Sequence, residues 1–344
     1  MKAVVIHAPR DLRIDDIERP TTGAGEVMVR VKAGGICGSD LHYYQDGGFG
    51  TVRIQEPMIL GHEMAGEVVE VGAGVNGLAV SDRVAVNPSR PCGHCRYCLE
   101  GIPQHCLDMR FYGSAMRMPH MQGGFREFLV CPAAQAVRVP PDVPLELAAF
   151  AEPLSVCLHA ARQAASVHGK RVLVTGVGPI GALCVIVARH GGAREVVVTD
   201  LAEAPLAMAR RVGAELALNV AADPRALDRF GADKGHFDVA FEASGAGPAL
   251  AGALQVVRPG GTIVQVGIGG SDAKVPLNML VAKEITLRGT FRFHEEFAWA
   301  VDLLSRRALD VMPLLTEILP IDEAVRAFEL AGDRSRAMKV QLSL

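Results

Sequence analysis

"RVLVTGVGPIGALCVIVARHGGAREVVVTD", residues 171–200, is the stretch that decides the fold. It opens as a β-branched strand, turns through glycines, continues as an apolar helical run and ends in a second strand, EVVVTD. Gly176, Gly178 and Gly181 stand at G-x-G-x-x-G spacing in that turn, with Pro179 and Ile180 between the last two. Glycines there permit a tight bend and let backbone N–H groups approach a pyrophosphate at the positive end of the helix. Asp200 closes the second strand 19 residues after Gly181, where an acid can take the adenosine ribose hydroxyls. Taken alone, a glycine-rich βα turn with Asp200 as a helix cap would account for the same letters. Strand, turn, helix and acid together favour a dinucleotide site. Leu201 and Ala202 bring no arginine to offset Asp200, so a 2′-phosphate would meet uncompensated negative charge, and NAD is expected rather than NADP.

Working outward, the alternation continues through APLAMARRVG, FDVAFEASG, GALQVVRPGG, TIVQVG and EITLRG. Such βα units build a doubly wound parallel sheet, expected over 152–291. Upstream the texture differs: KAVVIHA, EVMVRVKA, AGEVVEVG and DRVAVN are short strands between turn residues, as in an irregular antiparallel barrel. After a helix in EEFAWAVDLLSRRAL and another near IDEAVRAFELAG, the closing strand AMKVQLSL needs pairing partners, which the first domain supplies. The expected division is 1–151 with 292–344 for the barrel domain. At 344 residues, two domains fit the size at which single cores stop growing.

Composition narrows the function classes. Hydrophobic residues make up 49% and charged residues 21%, the balance of a compact globule. With a net charge of −3 and the cations spread along the chain, no footprint for nucleic acid or an anionic membrane is visible. The uncharged run 172–188 is broken by Gly176, Gly178, Pro179 and Gly181, which suits a buried strand and helix better than a membrane span. The N-terminus MKAVVIHAPRD carries no secretory pattern, so a cytoplasmic location is expected. Eight cysteines in a reducing compartment point to metal ligands before disulfides.

Four of them, Cys92, Cys95, Cys98 and Cys106, follow C-x2-C-x2-C-x7-C spacing in PCGHCRYCLEGIPQHC. Four thiolates on one loop can close a tetrahedron around zinc with no open position, a structural site; an iron–sulfur centre or unrelated cysteines are the weaker readings. A second group is dispersed: Cys37 in AGGICGSDLHYY, His62 and Glu63 in LGHEMAGEVVEVG, and Glu152 in FAEPLSV. A thiolate, an imidazole and one or two carboxylates from three segments can hold zinc with a position left open for water or substrate. For His62 and Glu63 alone, a hydrogen-bonded core pair is the simpler account. Cys131, Cys157 and Cys184 sit in apolar surroundings and read as core residues.

GGICGSDLHYY, LGHEMAGEVVEVG, the four-cysteine loop, FAEPLSV and GVGPIG occur in one order along the chain. By these motifs it resembles, over essentially its whole length, the zinc-dependent medium-chain alcohol dehydrogenases, in the sorbitol and polyol dehydrogenase group. The resemblance implies an α/β architecture, a GroES-like barrel domain carrying the catalytic zinc beside a Rossmann domain carrying NAD. It places the catalytic zinc on Cys37, His62 and Glu63, with Glu152 as fourth ligand or holder of the zinc water. Where the ethanol-type enzymes carry cysteine this chain has Glu152, a harder ligand suited to polyols. Ser39 and His42 fall at the family's proton-relay positions, Val266 and Ile268 at cofactor positions, and Tyr43, Phe111 and Arg292 at the polyol pocket. Arg110 is a second candidate cation. NPSRPCGHCRYC, DMRFYGSAM, LRGTFRFHEEF and the ending AMKVQL most resemble members acting on sugar acids, and Arg292 is suited to hold a carboxylate. A homodimer or homotetramer is implied, with TIVQVG and the following IGGSD as a joining edge. Two readings from other classes compete. A catalytically silent dinucleotide-binding protein would lack a zinc ligand or a relay residue, and a nucleic-acid module built on the four-cysteine loop would need more cations than Arg90, Arg96 and Arg110.

Overall fold

The computed structural model describes residues 1–269 and 275–344. The strands that build the three larger sheets are β1 (Lys2–Ala8), β2 (Asp11–Asp16), β3 (Glu26–Gly35), β4 (Met58–Ile59), β5 (Glu63–Val71), β6 (Arg83–Val86), β7 (Phe128–Pro132) and β8 (Ala136–Val139), then β9 (Arg171–Thr175), β10 (Glu195–Asp200), β11 (Leu216–Asn219), β12 (Phe237–Glu242), β13 (Val257–Gln265) and β14 (Thr286–Gly289), and finally β15 (Leu315–Pro320) and β16 (Lys339–Ser343). Helices that matter to the site are α1 (Gly38–Asp46), α2 (Ala151–Gln163), α3 (Pro179–His190), α4 (Glu296–Ser305) and α5 (Ala324–Gly332).

The segment 171–289 forms one parallel sheet in the order β11-β10-β9-β12-β13-β14. Numbered within the sheet this is 3-2-1-4-5-6, and the strand order reverses between β9 and β12, which is where ligands enter such sheets. Its strands are nearly continuous runs of Val, Leu and Phe because helices cover both faces.

The remaining residues build a mixed sheet, β8-β6-β5-β3-β16-β15, with β7 also paired to β3. A small sheet of β2, β1 and β4 packs beside it. The closing strand β16 runs antiparallel to β3, with Gln341 opposite Gly35, and parallel to β15. On its other side β3 meets β5, and Gly35 stands opposite Glu63. A Cβ on Gly35 would come within 2.0 Å of a Glu63 carboxylate oxygen and 3.1 Å of the Lys339 chain, so only glycine leaves room there. This register brings β3, β5 and β16, three segments far apart in the chain, to one point.

One sequence expectation is corrected by the topology. TIVQ lies in β13, an inner strand between β12 and β14; the edges of the parallel sheet are β11 and β14, the latter exposed along its whole length. In IGGSD, Gly270, Ser271 and Asp272 lie outside the described residues. Among the described residues no helix is long and apolar enough to cross a membrane.

Candidate active site and zinc centres

Cys37 is the N-cap of α1, in extended backbone at φ −94° and ψ 159°. His62 and Glu63 sit at the start of β5, both buried. One ligand atom from each of Cys37, His62 and Glu63 falls within 4.8 Å of the other two. His62 Nδ1 is buried without a hydrogen-bond partner, a costly state for a ring nitrogen unless a ligand meets it. Burial, and after it the Glu63 charge, pushes the Cys37 thiol up to about 11. A thiolate there calls for a cation, and a thiolate, an imidazole and a carboxylate are a donor set that zinc accepts. The residues present therefore fit the metal.

Two side chains that the sequence reading passed over hold this set together. Asp40, fully buried, accepts from Cys37 N at 3.0 Å and from Gly61 N at 3.1 Å, tying the first ligand's segment to that of His62, whose Nδ1 lies 3.7 Å away. Its carboxyl is raised above the ordinary range, chiefly by burial. Lys339, also buried, donates from Nζ to Glu63 Oε1 at 2.6 Å and to the Ile36 carbonyl at 3.0 Å. Burial opposes its charge, yet the charges of Glu63 and Cys37 raise its pKa on balance. A lone lysine in the apolar strand AMKVQL and an aspartate three residues into the Cys37 helix were the available signals.

Glu152, in the first turn of α2, is buried but stands outside the three-residue ligand set. Desolvation lifts its carboxyl to about 8, with His62 opposing the rise and Glu63 and Cys37 adding to it. Arg292 closes the other side. Its backbone is left-handed at φ 53°, and its guanidinium carbon lies 4.3 Å from the Phe111 ring centroid and 4.9 Å from that of Phe291. Phe111 in turn lies 5.5 Å from the His62 ring. The Arg292 Nη2 donates to Met116 Sδ at 2.9 Å, and among the described residues it forms no ion pair. Burial lowers its pKa to about 10, against the charges of Glu152 and Tyr43, so it stays cationic at neutral pH. The Tyr43 hydroxyl accepts from Ala115 N at 3.0 Å and is nearly out of solvent.

Arg110 is not brought to this place: it precedes Phe111 in a two-residue strand paired to Ser89–Arg90, so it points to the opposite, exposed face. Ser39 and His42 share a face of α1 at i and i+3. Ser39 is half-buried, whereas His42 is exposed with Nδ1 3.5 Å from Asp46 Oδ2.

The four-cysteine loop folds as anticipated by its spacing. Sγ of Cys95 lies 3.6 Å from that of Cys98 and 3.9 Å from that of Cys106, and all four sulfurs are within 4.8 Å of one another. Four sulfurs at about 2.3 Å from a tetrahedral zinc stand about 3.8 Å apart, so the cage has zinc dimensions. Backbone N–H groups of Leu107 and Cys98 pull the Cys95 pKa down, as a thiolate ligand requires.

At the switch point, Gly176 takes φ 77° and Gly178 caps α3. A Cβ on Gly181 would lie 1.9 Å from the Gly176 carbonyl, which is why the turn can close. Asp200 Oδ2 accepts from Val177 N at 2.8 Å, and Oδ1 from Leu201 N at 2.7 Å and Ala202 N at 3.1 Å. The carboxylate is thus fixed at the end of β10 with its charge toward the turn. Val266 and Ile268 follow β13 at the same end of the sheet, Val266 half-buried and Ile268 exposed.

This fold and these two cages define a class, and comparison with known proteins gives the same one. Residues 23–141 match the family described as alcohol dehydrogenase GroES-like domain, and residues 179–306 match the zinc-binding dehydrogenase family. The chain belongs to the zinc-dependent medium-chain alcohol dehydrogenases, enzymes that are NAD(P)-linked oxidoreductases. Among individual relatives, it is similar to L-idonate 5-dehydrogenase (NAD(P)(+)) of Escherichia coli K12, with 44% identity over 315 residues, 92% of this chain and 91% of that one. The crystal structure of L-idonate 5-dehydrogenase from E. coli K-12 superposes at a TM-score of 0.94 with 41% identity, covering all of this chain and 98% of the other. Sorbitol dehydrogenase of Pongo abelii is 36% identical over 333 residues, 95% of this chain and 91% of that one.

Proposed function

We propose that the protein oxidises a secondary hydroxyl of a sugar acid with NAD, L-idonate to 5-keto-D-gluconate being the reaction that fits best. The observation that carries this reading is Arg292: a half-buried guanidinium laid on two aromatic faces beside Glu152, with its fork free of any acidic partner among the described residues. Such a cation suits a bidentate carboxylate. Cys37, His62 and Glu63 would hold the catalytic zinc, and Cys92, Cys95, Cys98 and Cys106 the structural one. When bound, the catalytic zinc supplies a Lewis-acid centre that makes a hydroxyl acidic, and the nicotinamide accepts hydride.

The chain's own residues divide the remaining work. Arg292 holds the carboxylate end, Phe111 and Tyr43 wall the pocket, and Glu152 accepts a hydrogen bond from the reacting hydroxyl; its position outside the ligand set suits that role better than direct ligation. The proton of the reacting hydroxyl would leave through Ser39 and then His42, whose exposed ring can hand it to solvent. Asp200 takes the adenosine ribose and disfavours a 2′-phosphate.

The test is NADH formation from L-idonate, sorbitol and xylitol, each with NAD and NADP. L-idonate with NAD is expected to lead. Arg292→Ala should weaken L-idonate oxidation by about 100-fold, the scale of a lost charge-assisted pair, while sorbitol changes little. An equal loss on both substrates would remove the carboxylate role and favour the second reading, a neutral-polyol dehydrogenase, which the sorbitol relatives support. His42→Ala with undiminished activity across neutral pH would take His42 out of the relay.

The protein is proposed to act as at least a homodimer. Among the described residues strand β14 has no partner on its outer side, and Leu287 on it, with Leu277 and Val281 just before it, exposes apolar surface. Light scattering should give twice 36.5 kDa or a higher multiple; a monomer mass would count against it. A cytoplasmic setting completes the reading, since all eight cysteines are unpaired thiols, and cell fractionation would check it.

A further inference from the structure

Helix α2 carries two buried polar side chains on one face: Glu152 in its first turn, and His159 two turns further along. Glu152 borders the zinc ligands. His159 reaches instead to Glu296, the first residue of α4 and fully buried. His159 Nδ1 lies 3.0 Å from Glu296 Oε1, which also accepts from Arg162 Nη1 at 3.0 Å. The Gln163 amide nitrogen lies 3.1 Å from His159 Nε2; with that amide donating, the ring proton sits on Nδ1 and points to the carboxylate. Arg162 also donates to Glu295 Oε2 at 3.2 Å, and its guanidinium lies 5.3 Å from the Trp299 ring centroid. The second oxygen of Glu296 turns the other way, and Oε2 accepts from His294 N at 2.8 Å. One carboxylate thus joins α2 to the turn that carries Arg292. Burial opposes its charge, yet the bonds from His159 and His294 N hold its carboxyl down at about 2.

Helix packing alone does not call for this arrangement. Apolar residues of similar volume often replace a buried ion network with no loss of stability, and Leu154 and Ala160 of α2 already share one apolar core with Phe297 and Ala300 of α4. What the network adds is position. Arg292 has φ 53°, a left-handed backbone that a residue with a side chain keeps only where its surroundings impose it. The bond from His294 N to Glu296, with the Phe293–Phe297 stack at 5.7 Å, fixes the chain just after it.

We infer that Glu296 is a positioning residue: clasped by His159 and Arg162 of α2, it holds the Arg292 turn at a set distance from Glu152, and so fixes the span between the carboxylate and the reacting hydroxyl of a sugar acid. This rests on the reading of Arg292 as the carboxylate holder, and gives Glu296 a share in choosing the substrate. A neutral polyol has no carboxylate to seat, so the span matters little to it.

The test is the KM and kcat of E296Q, R292A and the double variant on L-idonate and sorbitol. E296Q keeps the volume but loses the charge and one acceptor. It should raise KM for L-idonate about tenfold, with kcat within about threefold and both sorbitol constants within about twofold, as when a contact common to ground and transition states is misplaced. In the R292A background, E296Q should change kcat/KM for L-idonate by less than about twofold, because the group that it positions is gone. A merely structural carboxylate would multiply its effect on that of R292A and act on both substrates alike. H159L, which removes one donor and leaves Arg162 and His294 on the carboxylate, should repeat the pattern at about threefold and stands in where E296Q does not fold. An unchanged KM for L-idonate, equal losses on both substrates, or effects that multiply in the double variant overturn the clasp while R292A alone stays selective. Equal losses on both substrates in R292A alone would overturn the carboxylate reading, and the clasp with it.

Discussion

Replacing Lys339 with methionine is expected to destabilise the zinc-free protein by about 4 kcal/mol at neutral pH. The substitution keeps the volume of the stem but leaves Glu63, buried at the junction of β3, β5 and β16, without its cation. Removing one partner of a buried pair costs about 3–5 kcal/mol because the other charge is stranded. Protonation limits the cost: neutralising a carboxylate of ordinary pKa at pH 7 takes about 4 kcal/mol, and at pH 5 about 1. A stranded carboxylate costs most where carboxylates are ionised, so the deficit shrinks as pH falls from 7 to 5. Urea unfolding of both proteins in a chelator at the two pH values measures this. With zinc restored the deficit should also shrink, since the metal offers Glu63 a second cation. A deficit below 0.5 kcal/mol at pH 7 in chelator would mean that the pair contributes little.

That pair shows where the sequence was legible and where it was not. Signals confined to a single stretch could be read directly. The cysteine spacing 92–106 gave a cage of zinc dimensions, and the run 171–200 gave strand, turn, helix and acid as the structure has them. The parallel sheet followed from βα alternation, because each unit announces its own period. Contacts made by register across distant segments were opaque. Lys339 meets Glu63 because β16 and β5 both flank β3, and no local pattern encodes which strands are neighbours. Asp40 was hidden for a different reason: its backbone bonds to Cys37 and Gly61 are a helix-capping pattern whose second half lies 21 residues away. The edge of the parallel sheet was misplaced at TIVQVG because inner and edge strands of such a sheet carry similar apolar runs, and only β14's full exposure distinguishes it. Arg110 and Phe111 are adjacent in sequence, yet strand alternation sends only Phe111 to the site.

Cys98→Ala is expected to remove one of two zinc ions per chain and to disable substrate binding at a distance. The loop has almost no core of its own: Cys106, Met109 and Phe111 form its small hydrophobic cluster, with the other three cysteines packed around them. Without metal, about 20 residues would be held by little more than their backbone turns, so the loop opens locally. Two aromatic contacts carry that opening to the pocket. Phe111 supports both the His62 ring and the Arg292 guanidinium, and His105, adjacent to the ligand Cys106, stacks on Phe291 at 6.0 Å under the same arginine. Loosening both platforms leaves Arg292 without a fixed direction. A misplaced binding group costs about 100-fold in well-oriented sites, so KM for L-idonate should rise by about that factor, and by less for a substrate lacking the carboxylate. The glycine turn and Asp200 are held by hydrogen bonds within the parallel-sheet segment, so NADH affinity should hold within twofold. Zinc content by atomic emission, KM for both substrates and the NADH titration decide the matter together. A variant with one zinc per chain and an unchanged KM would show that the loop is only a surface ornament on the barrel. Loss of NADH binding along with substrate binding would show that the damage is global unfolding instead of a loosened pocket wall.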